Sequence, residues 1–229
     1  MIGVHRALLL DLDGTLLDTA PDMGGALNEL LVENDRAPMP AATIRPQVSH
    51  GSARLVSIGF PEARDAEYER LRLRFLDIYA TRVADETRPF PGALELLAEL
   101  DRRDLPWGIV TNKPGWLTDP LLEALGLARR AACVVSGDTL PERKPHPLPL
   151  LHAAERLRVP PMHCVYAGDA ERDIQAARAA GMTPVIAAYG YISDDEDPGH
   201  WEAAGMIGDP LDLLVWMAMA PARAAGDGR

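Results

Sequence analysis

Short runs of apolar residues recur along the chain, and the first of them ends in an acidic turn that contains Asp11 and Gly14. Continuous apolar runs of this length are typical of buried strands in a parallel sheet, where both faces are covered. Five such runs predict strands: Ala7–Leu10, Trp107–Val110, Ala132–Val135, Cys164–Ala167 and Thr183–Ala187.

Between these runs, apolar residues recur at intervals of three and four, which is the spacing of an amphipathic helix. Pro91 and Gly92 precede the first of these helices, whereas Gly126 and Gly181 end the second and the third. The periodic positions are Leu94, Leu97 and Ala98; Leu121, Leu122 and Leu125; and Ile174, Ala177 and Arg178. Strands that alternate with helices predict an α/β fold with a doubly wound parallel sheet.

The alternation breaks between about residues 17 and 88, where no strand-like run occurs. Amphipathic helices are predicted there from Met23 to Leu31 and from Leu71 to Tyr79, with a loop of small residues at Ser49–Ser52 between them. We therefore predict three parts: a core of residues 1–16 and 89–220, an inserted helical segment of residues 17–88 (the inserted segment), and a flexible tail of residues 221–229.

The composition narrows the classes of function. The 229 residues carry a formal net charge of −11, which argues against a nucleic-acid-binding protein because such proteins present basic surfaces. An anionic substrate would need a metal ion or a few basic side chains to offset this charge. Cys133 and Cys164 lie in apolar runs, so we expect buried, reduced thiols. No apolar stretch is long enough for a signal segment or a membrane span, so we expect a cytoplasmic protein without membrane partners.

Polar side chains follow the predicted strands at the points where the strands end. In open α/β sheets, ligands bind beyond the carboxyl ends of the strands, so we expect these side chains to meet at one edge. They are Asp11 and Asp13 after the first strand, Thr111, Asn112 and Lys113 after the second, Lys144 at some distance after the third, and Gly168, Asp169 and Asp173 after the fourth.

This set predicts phosphoryl chemistry. A carboxylate such as Asp11 can attack phosphorus and form an aspartyl phosphate, but two anions then meet and a cation is needed between them. Mg²⁺ prefers oxygen ligands, for which Asp11 and Asp169 are the candidate pair, and Asp173 is either a further ligand or a residue that orients bound water. Lys144 and Thr111 would stabilise the phosphoryl oxygens.

Asp13, two residues beyond the nucleophile, is the candidate acid that protonates the leaving group and the base that later activates water. Gly14 permits a sharp turn that lets the backbone approach the phosphate. Thr15 and Asp18 are expected to lock this turn through short side-chain hydrogen bonds. Each of these residues taken alone has an ordinary structural explanation, and the prediction depends on their joint occurrence in this order.

Four motifs resemble those of the haloacid dehalogenase-like phosphatases: Asp11–Thr19, Val110–Asn112, Lys144-Pro145 and Gly168–Asp173. The resemblance covers nearly the whole chain and implies a Rossmann-like core with a helical cap inserted after the first motif. It also implies that Asp11 is the nucleophile, that Asp13 is the acid and base, and that Mg²⁺ is held by Asp11, the backbone carbonyl of Asp13 and Asp169. Because Ala170 follows Asp169, the fourth motif resembles the variant in which Asp173 is the second acid.

Within this family the chain resembles phosphoglycolate-phosphatase-like enzymes and, more narrowly, bacterial enzymes that act on N-acetylmuramic acid 6-phosphate in cell-wall recycling. The narrower resemblance rests on Pro106–Pro114, Tyr189–Ile192, Asp197-Pro198 and Trp201. It implies a small phosphorylated metabolite as the substrate, either a sugar phosphate or phosphoglycolate, and a monomer or small homo-oligomer.

The inserted segment should select the leaving group, with His50, Gly51 and Arg54 as candidate contacts. An arginine there would suit a substrate with a carboxylate. Asn112 and Lys113, beside Thr111, are also candidate substrate contacts. A phosphomutase and a phospho-accepting receiver module remain rival functions, although a receiver module is about half this length and has no inserted cap. A dehalogenase would have no use for Asp13 as an acid or for a metal-binding Asp169.

Overall fold

The computed structural model describes residues 5–219, and the predicted tail of residues 221–229 lies outside that range. Six strands form a parallel sheet in the order β5-β4-β1-β6-β7-β8. They are β1 (Ala7–Leu10), β4 (Trp107–Val110), β5 (Cys133–Val135), β6 (Cys164–Gly168), β7 (Thr183–Ala187) and β8 (Gly205–Ile207). The chain starts in the middle of the sheet, builds one side and then returns to build the other, which confirms the predicted doubly wound, Rossmann-like α/β fold.

Helices cover the core sheet and connect its strands. They are α5 (Ala93–Arg102), α6 (Gly115–Ala124), α7 (Leu148–Leu157), α8 (Glu171–Ala179) and α9 (Leu213–Ala218). Because side chains alternate along a strand, Leu8 and Leu10 pack into one apolar cluster and Ala7 and Leu9 into another on the opposite face. Both faces of β1 are therefore buried, which is why its sequence is apolar throughout.

Four helices lie in the inserted segment: α1 (Ala20–Glu33), α2 (Ala41–Ile44), α3 (Gly51–Gly59) and α4 (Asp65–Ala80). Two short strands, β2 (Leu17–Asp18) and β3 (Arg88–Pro89), pair antiparallel where the chain enters and leaves this segment. The sequence pattern did not indicate this ribbon, because two residues are too few to show a period. The division into core and cap at residues 17 and 88 stays a prediction.

Three local expectations were wrong. Ser49 and His50 end a 3-10 helix and Gly51 begins α3, so Ser49–Ser52 is a junction between helices and not a loop. Helix α5 forms as predicted, but it buries Ala93, Leu96, Leu97 and Leu100, whereas Leu94 is exposed. The strand predicted from Ala132 begins at Cys133.

Cys133 and Cys164 are both buried and unpaired, as expected. Burial raises the pKa of the Cys133 thiol to about 11 and that of the Cys164 thiol to about 12. Both thiols therefore stay protonated near neutral pH and act as apolar core groups. Within residues 5–219, no helix is long and apolar enough to cross a membrane.

Candidate active site

Three adjacent strands, β4, β1 and β6, bring Thr111, Asp11 and Asp169 together at their carboxyl ends. Asp11 follows β1, and its backbone N–H donates to the carbonyl of Ala167 at 2.9 Å, which continues the sheet ladder. Its Oδ1 accepts a hydrogen bond from Leu12 N at 2.8 Å and lies 2.8 Å from Lys144 Nζ. Among the described contacts of Asp11, Oδ2 has no protein partner, so this oxygen is available for chemistry.

Asp11, Asp169 and Asp173 form a buried group, here called the carboxylate cluster. Each offers an oxygen, and these oxygens lie within 4.8 Å of one another. Lys144 is the ammonium that pairs with two of them, at 2.8 Å from Asp11 Oδ1 and 2.8 Å from Asp173 Oδ1. Three carboxylates and one ammonium leave a negative excess in a site that water does not screen.

The pKa values of the cluster reflect this excess. Burial, followed by the charge of Asp173, raises the pKa of Asp11 to about 6 even though Lys144 opposes the shift. Burial and the charges of Asp11 and Asp173 raise the pKa of Asp169 to about 8. A further positive charge would favour the ionised forms of Asp11 and Asp169. Because their donor atoms are hard oxygens, Asp11, Asp169 and Asp173 could hold a hard divalent cation such as Mg²⁺. The backbone carbonyl of Asp13 stays a predicted ligand.

Two glycines allow the chain to close around Asp169. Gly14 has a φ of +83°, and a Cβ at this position would lie 2.0 Å from Asp169 Oδ2. A Cβ at Gly190 would lie 2.3 Å from the Cβ of Asp169. Gly14 therefore serves both the sharp turn and the close approach, because any larger residue would collide with a cluster carboxylate.

The hydrogen bonds of Thr15 and Asp18 differ from those predicted for this turn. Thr15 Oγ1 donates to Asp169 Oδ1 at 3.3 Å, so it bonds across to β6 and not within the turn. Asp18 pairs with Arg45 at 2.8 Å and accepts from the hydroxyl of Tyr191 at 2.7 Å. The expectation that Asp18 bonds within the turn is wrong, because its partners are distant in sequence.

Lys144 is fixed from several directions and is almost fully buried. Its Nζ donates to the carbonyl of Val110 at 2.9 Å and to the hydroxyl of Tyr166 at 2.8 Å. Burial alone would lower the pKa of this ammonium, but the carboxylates of Asp11 and Asp173 raise it. Asn112 exchanges two hydrogen bonds with the Lys144 backbone, at 2.9 and 3.1 Å, so its amide positions this lysine.

Asp13 is held by two donors. Lys113 Nζ lies 3.0 and 3.3 Å from its two oxygens, and Thr19 Oγ1 donates at 2.7 Å. The ammonium of Lys113 is buried and lies 4.5 Å from the centre of the Tyr79 ring. Burial alone would lower the pKa of Lys113, but Asp13 and Tyr79 raise it. Lys113, predicted to contact substrate, is therefore engaged with Asp13. Thr111 Oγ1 accepts from the backbone N–H of Lys113 at 3.1 Å, which fixes this strand end.

Of the three contacts predicted in the inserted segment, the structure brings His50 and Gly51 to the site, but not Arg54. His50 and Gly51 both line the cavity above the carboxylate cluster. Arg172, at the start of α8, donates to His50 Nδ1 at 2.9 Å. Burial and the charge of Arg172 lower the pKa of His50. Arg54 is exposed and donates to Gln47 Oε1 at 2.6 Å, so the structure does not bring it to the site.

The cavity has a volume of about 790 Å³. Asp11, Asp13, Thr111 and Lys144 line it together with side chains of α4 and α6. Trp116 and Leu73 line it as well and are each about half exposed (50% and 51%), which is costly for large apolar side chains. The sequence patterns did not single out these two residues, although an aromatic residue in the turn after Thr111–Lys113 is a signal that could have identified Trp116.

Residues 5–181 match the family model described as haloacid dehalogenase-like hydrolase. The chain is 46% identical over 205 residues to a phosphoglycolate phosphatase from Xylella fastidiosa, with 90% of each chain covered. It is 38% identical over 210 residues to an N-acetylmuramic acid 6-phosphate phosphatase from Pseudomonas aeruginosa, covering 91% of this chain and 93% of the relative. A crystal structure of a predicted phosphoglycolate phosphatase from Haemophilus somnus superposes with a TM-score of 0.82 at 26% identity, covering 92% of this chain and 96% of that one.

Proposed function

Since this chain belongs to the haloacid dehalogenase-like hydrolase family and is a phosphatase of that family, we propose that it hydrolyses phosphomonoesters with Mg²⁺ through a phosphorylated Asp11. The observation that carries the proposal is the carboxylate cluster at the ends of neighbouring strands, with Asp11 paired to Lys144 at 2.8 Å and its Oδ2 left for attack. Mg²⁺ held by Asp11, Asp169 and Asp173 would supply the positive charge that draws a phosphate dianion to a carboxylate.

In the first half-reaction, Asp11 Oδ2 forms a bond to phosphorus while the bond between phosphorus and the ester oxygen breaks. Asp13 gives its proton to that departing oxygen, so the leaving group departs as a neutral alcohol. Lys144 stays beside Asp11 Oδ1 and stabilises the charge of the phosphoryl oxygens, and the Thr111 hydroxyl lines the same space.

In the second half-reaction, Asp13 takes a proton from a water molecule whose oxygen attacks phosphorus. The bond between phosphorus and Asp11 Oδ2 breaks, and inorganic phosphate leaves with Asp11 restored as a carboxylate. The ionised form of Asp13 that this step needs is supported by its two donors, Lys113 and Thr19.

For the substrate, we propose N-acetylmuramic acid 6-phosphate in cell-wall recycling, with 2-phosphoglycolate or another small sugar phosphate as the alternative. Relatives of both named activities are similar to the chain, with 46% identity to the phosphoglycolate phosphatase from Xylella fastidiosa and 38% to the N-acetylmuramic acid 6-phosphate phosphatase from Pseudomonas aeruginosa. The cavity supports the larger substrate, because about 790 Å³ lies within the roughly 300–1,000 Å³ of pockets that bury drug-sized ligands. A two-carbon acid would leave much of this volume empty. Trp116 offers a flat apolar surface for a sugar ring.

The inserted segment is proposed to act as the cap that closes over this substrate, since it supplies His50 and Gly51 to the cavity. The phosphorylated metabolite is the proposed partner, with neither nucleic acid nor membrane involved, in a cytoplasmic monomer or small homo-oligomer. A sugar phosphomutase would use the same Asp13, but it would return an isomerised sugar phosphate in place of free phosphate. A receiver module is disfavoured because the chain matches hydrolases over most of its length.

A phosphate-release screen tests this proposal. N-acetylmuramic acid 6-phosphate, N-acetylglucosamine 6-phosphate and 2-phosphoglycolate should be compared by kcat/KM, with and without EDTA. We expect N-acetylmuramic acid 6-phosphate to be preferred, EDTA to stop the release, Mg²⁺ to restore it, and Asp11→Asn to abolish it. A strong preference for phosphoglycolate would refute the substrate assignment, and full turnover by Asp11→Asn would refute the mechanism.

A further inference from the structure

The hydrogen bonds of Asp169 are divided unequally between its two oxygens. Oδ2 accepts from Ser49 Oγ at 2.6 Å and from the backbone N–H of Tyr191 at 2.9 Å. Oδ1 has a single long contact, from Thr15 Oγ1 at 3.3 Å. A hydroxyl from the inserted segment, 120 residues away in the chain, therefore bonds directly to a carboxylate of the cluster.

Ser49 is itself held against the core by Arg172. One guanidinium nitrogen of Arg172 donates to the carbonyl of Ser49 at 3.0 Å, and the other contacts His50 Nδ1 at 2.9 Å. Since Arg172 lies three residues after Asp169, the same stretch of core carries the carboxylate and the residue that holds its donor. The close approach of Gly14 to Asp169 Oδ2 adds a steric limit on the position of this carboxylate.

We propose that Ser49 is a positioning residue for the cation site of this enzyme. With Ser49 and the Tyr191 amide both bound to Oδ2, Oδ1 is left as the oxygen of Asp169 that can bind a cation beside Asp11. Hydrogen bonds to ligating carboxylates orient them, and removal of such partners typically weakens metal affinity by about 10- to 100-fold. This inference rests on the proposed function, because it concerns the Mg²⁺ that the cluster would hold.

The contact between Ser49 and Asp169 also joins the inserted segment to the cation site. A cation bound to Oδ1 would fix the Asp169 carboxylate in the orientation in which its Oδ2 accepts from the Ser49 hydroxyl at 2.6 Å. Cation binding should therefore stabilise the attachment of residues 45–50 to the core. By linkage, the attached position of these residues favours the cation by the same free energy. Ser49 would thus couple cation binding to the part of the inserted segment that faces substrate.

Isothermal titration of the full-length, metal-free protein with Mg²⁺ tests the positioning role without depending on turnover. We expect Ser49→Ala to raise the Kd for Mg²⁺ about tenfold or more, and Ser49→Thr, which keeps a hydroxyl, to restore most of the affinity. Ser57→Ala is the matched control, because the Ser57 hydroxyl lies in the same segment and bonds the carbonyl of Ala53 at the surface. Its Kd should equal that of the wild type.

Each other outcome has a distinct meaning. If Ser49→Ala binds Mg²⁺ as tightly as the wild type, or more tightly, Ser49 does not position the ligand and the inference is overturned. If the wild type itself binds no Mg²⁺, the proposed cation is wrong, and the failure belongs to the proposed function.

Hydrogen exchange read by mass spectrometry tests the coupling. Mg²⁺ should slow the exchange of backbone amides in residues 45–50 of the wild type and of Ser57→Ala. In Ser49→Ala held at a saturating Mg²⁺ concentration, this protection should be lost. Equal protection in Ser49→Ala and the wild type would overturn the coupling.

Discussion

The carboxylate cluster makes the stability of the metal-free protein depend on pH in an unusual direction. Most carboxylates of folded proteins have lowered pKa values and stabilise the fold as pH rises. Asp169 differs, since burial and its two carboxylate neighbours raise its pKa from 3.8 to about 8. Between these two values the folded state holds a proton that the unfolded state has lost. Raising the pH through this window therefore destabilises the fold, and the loss is complete above the folded pKa.

The unfolding free energy changes by about 1.4 kcal/mol per pH unit for one group that is protonated in the folded state and ionised in the unfolded state. The pKa of Asp11 is raised only to about 6, so most of the change between pH 6 and pH 8 comes from Asp169. Over that interval the metal-free protein should lose about 2–3 kcal/mol of unfolding free energy from this group. Total stabilities of domains are about 5–15 kcal/mol, so the change is large enough to measure.

Urea unfolding in EDTA at pH 6, 7 and 8 provides the assay, with Asp169→Asn as the matched variant. Asparagine keeps an oxygen that can accept from Ser49 and Tyr191 but does not titrate. Burial lowers the pKa of His5 and of His50, and because both residues are present in both proteins, their contributions cancel in the difference. We expect the wild type to lose about 2–3 kcal/mol more than the variant, and saturating Mg²⁺ to reverse the loss. Equal pH slopes for the two proteins would refute the reasoning.

Three further predictions concern the cation, the acid and the leaving group. Because Mg²⁺ needs ionised ligands, its affinity for the protein should rise by up to about tenfold per pH unit between pH 6 and 8. Calorimetric titration measures this affinity, and a pH-independent value would contradict the raised pKa of Asp169. Lys113→Met removes the ammonium 3.0 Å from Asp13 and should lower kcat about 100-fold or more. The affinity for Mg²⁺ should stay within about threefold of the wild-type value. An unchanged kcat would show that Asp13 needs no ammonium partner. Trp116→Ala should raise the KM for N-acetylmuramic acid 6-phosphate about tenfold, the loss of roughly 1.4 kcal/mol of apolar contact, but barely change that for 2-phosphoglycolate. Met162→Ala, an exposed apolar residue that does not line the cavity, is the control, and equal changes in KM for both substrates would contradict the role of Trp116.

The sequence predicted the core of the candidate site because its residues follow strands. A parallel sheet brings its carboxyl ends to one edge, so Asp11, Thr111 and Asp169 could be placed together without any knowledge of packing. Lys144 lies well beyond the end of β5, so its position in the site was predicted from the order of the motifs. The five apolar runs became strands because burial on both faces leaves a clear pattern.

Contacts between distant segments could not be predicted in this way. The pairing of Asp18 with Arg45, or of Ser49 with Asp169, depends on how the inserted segment packs on the core. A local pattern carries no record of such packing, which is why Asp18 was expected to bond within its own turn. Arg54 was expected at the site because of its charge and its place in the small-residue segment that begins at Ser49, but helix α3 directs it to Gln47 at the surface.

The central claim is that phosphate passes through Asp11. Rapid acid quench of the enzyme during turnover, followed by peptide mass spectrometry, measures this directly. The account predicts a transient phosphoryl group on the peptide that contains Asp11, absent in Asp11→Asn and present in Lys113→Met with altered kinetics. Turnover without any phosphorylated peptide, or with the phosphoryl group on a different residue, would contradict it.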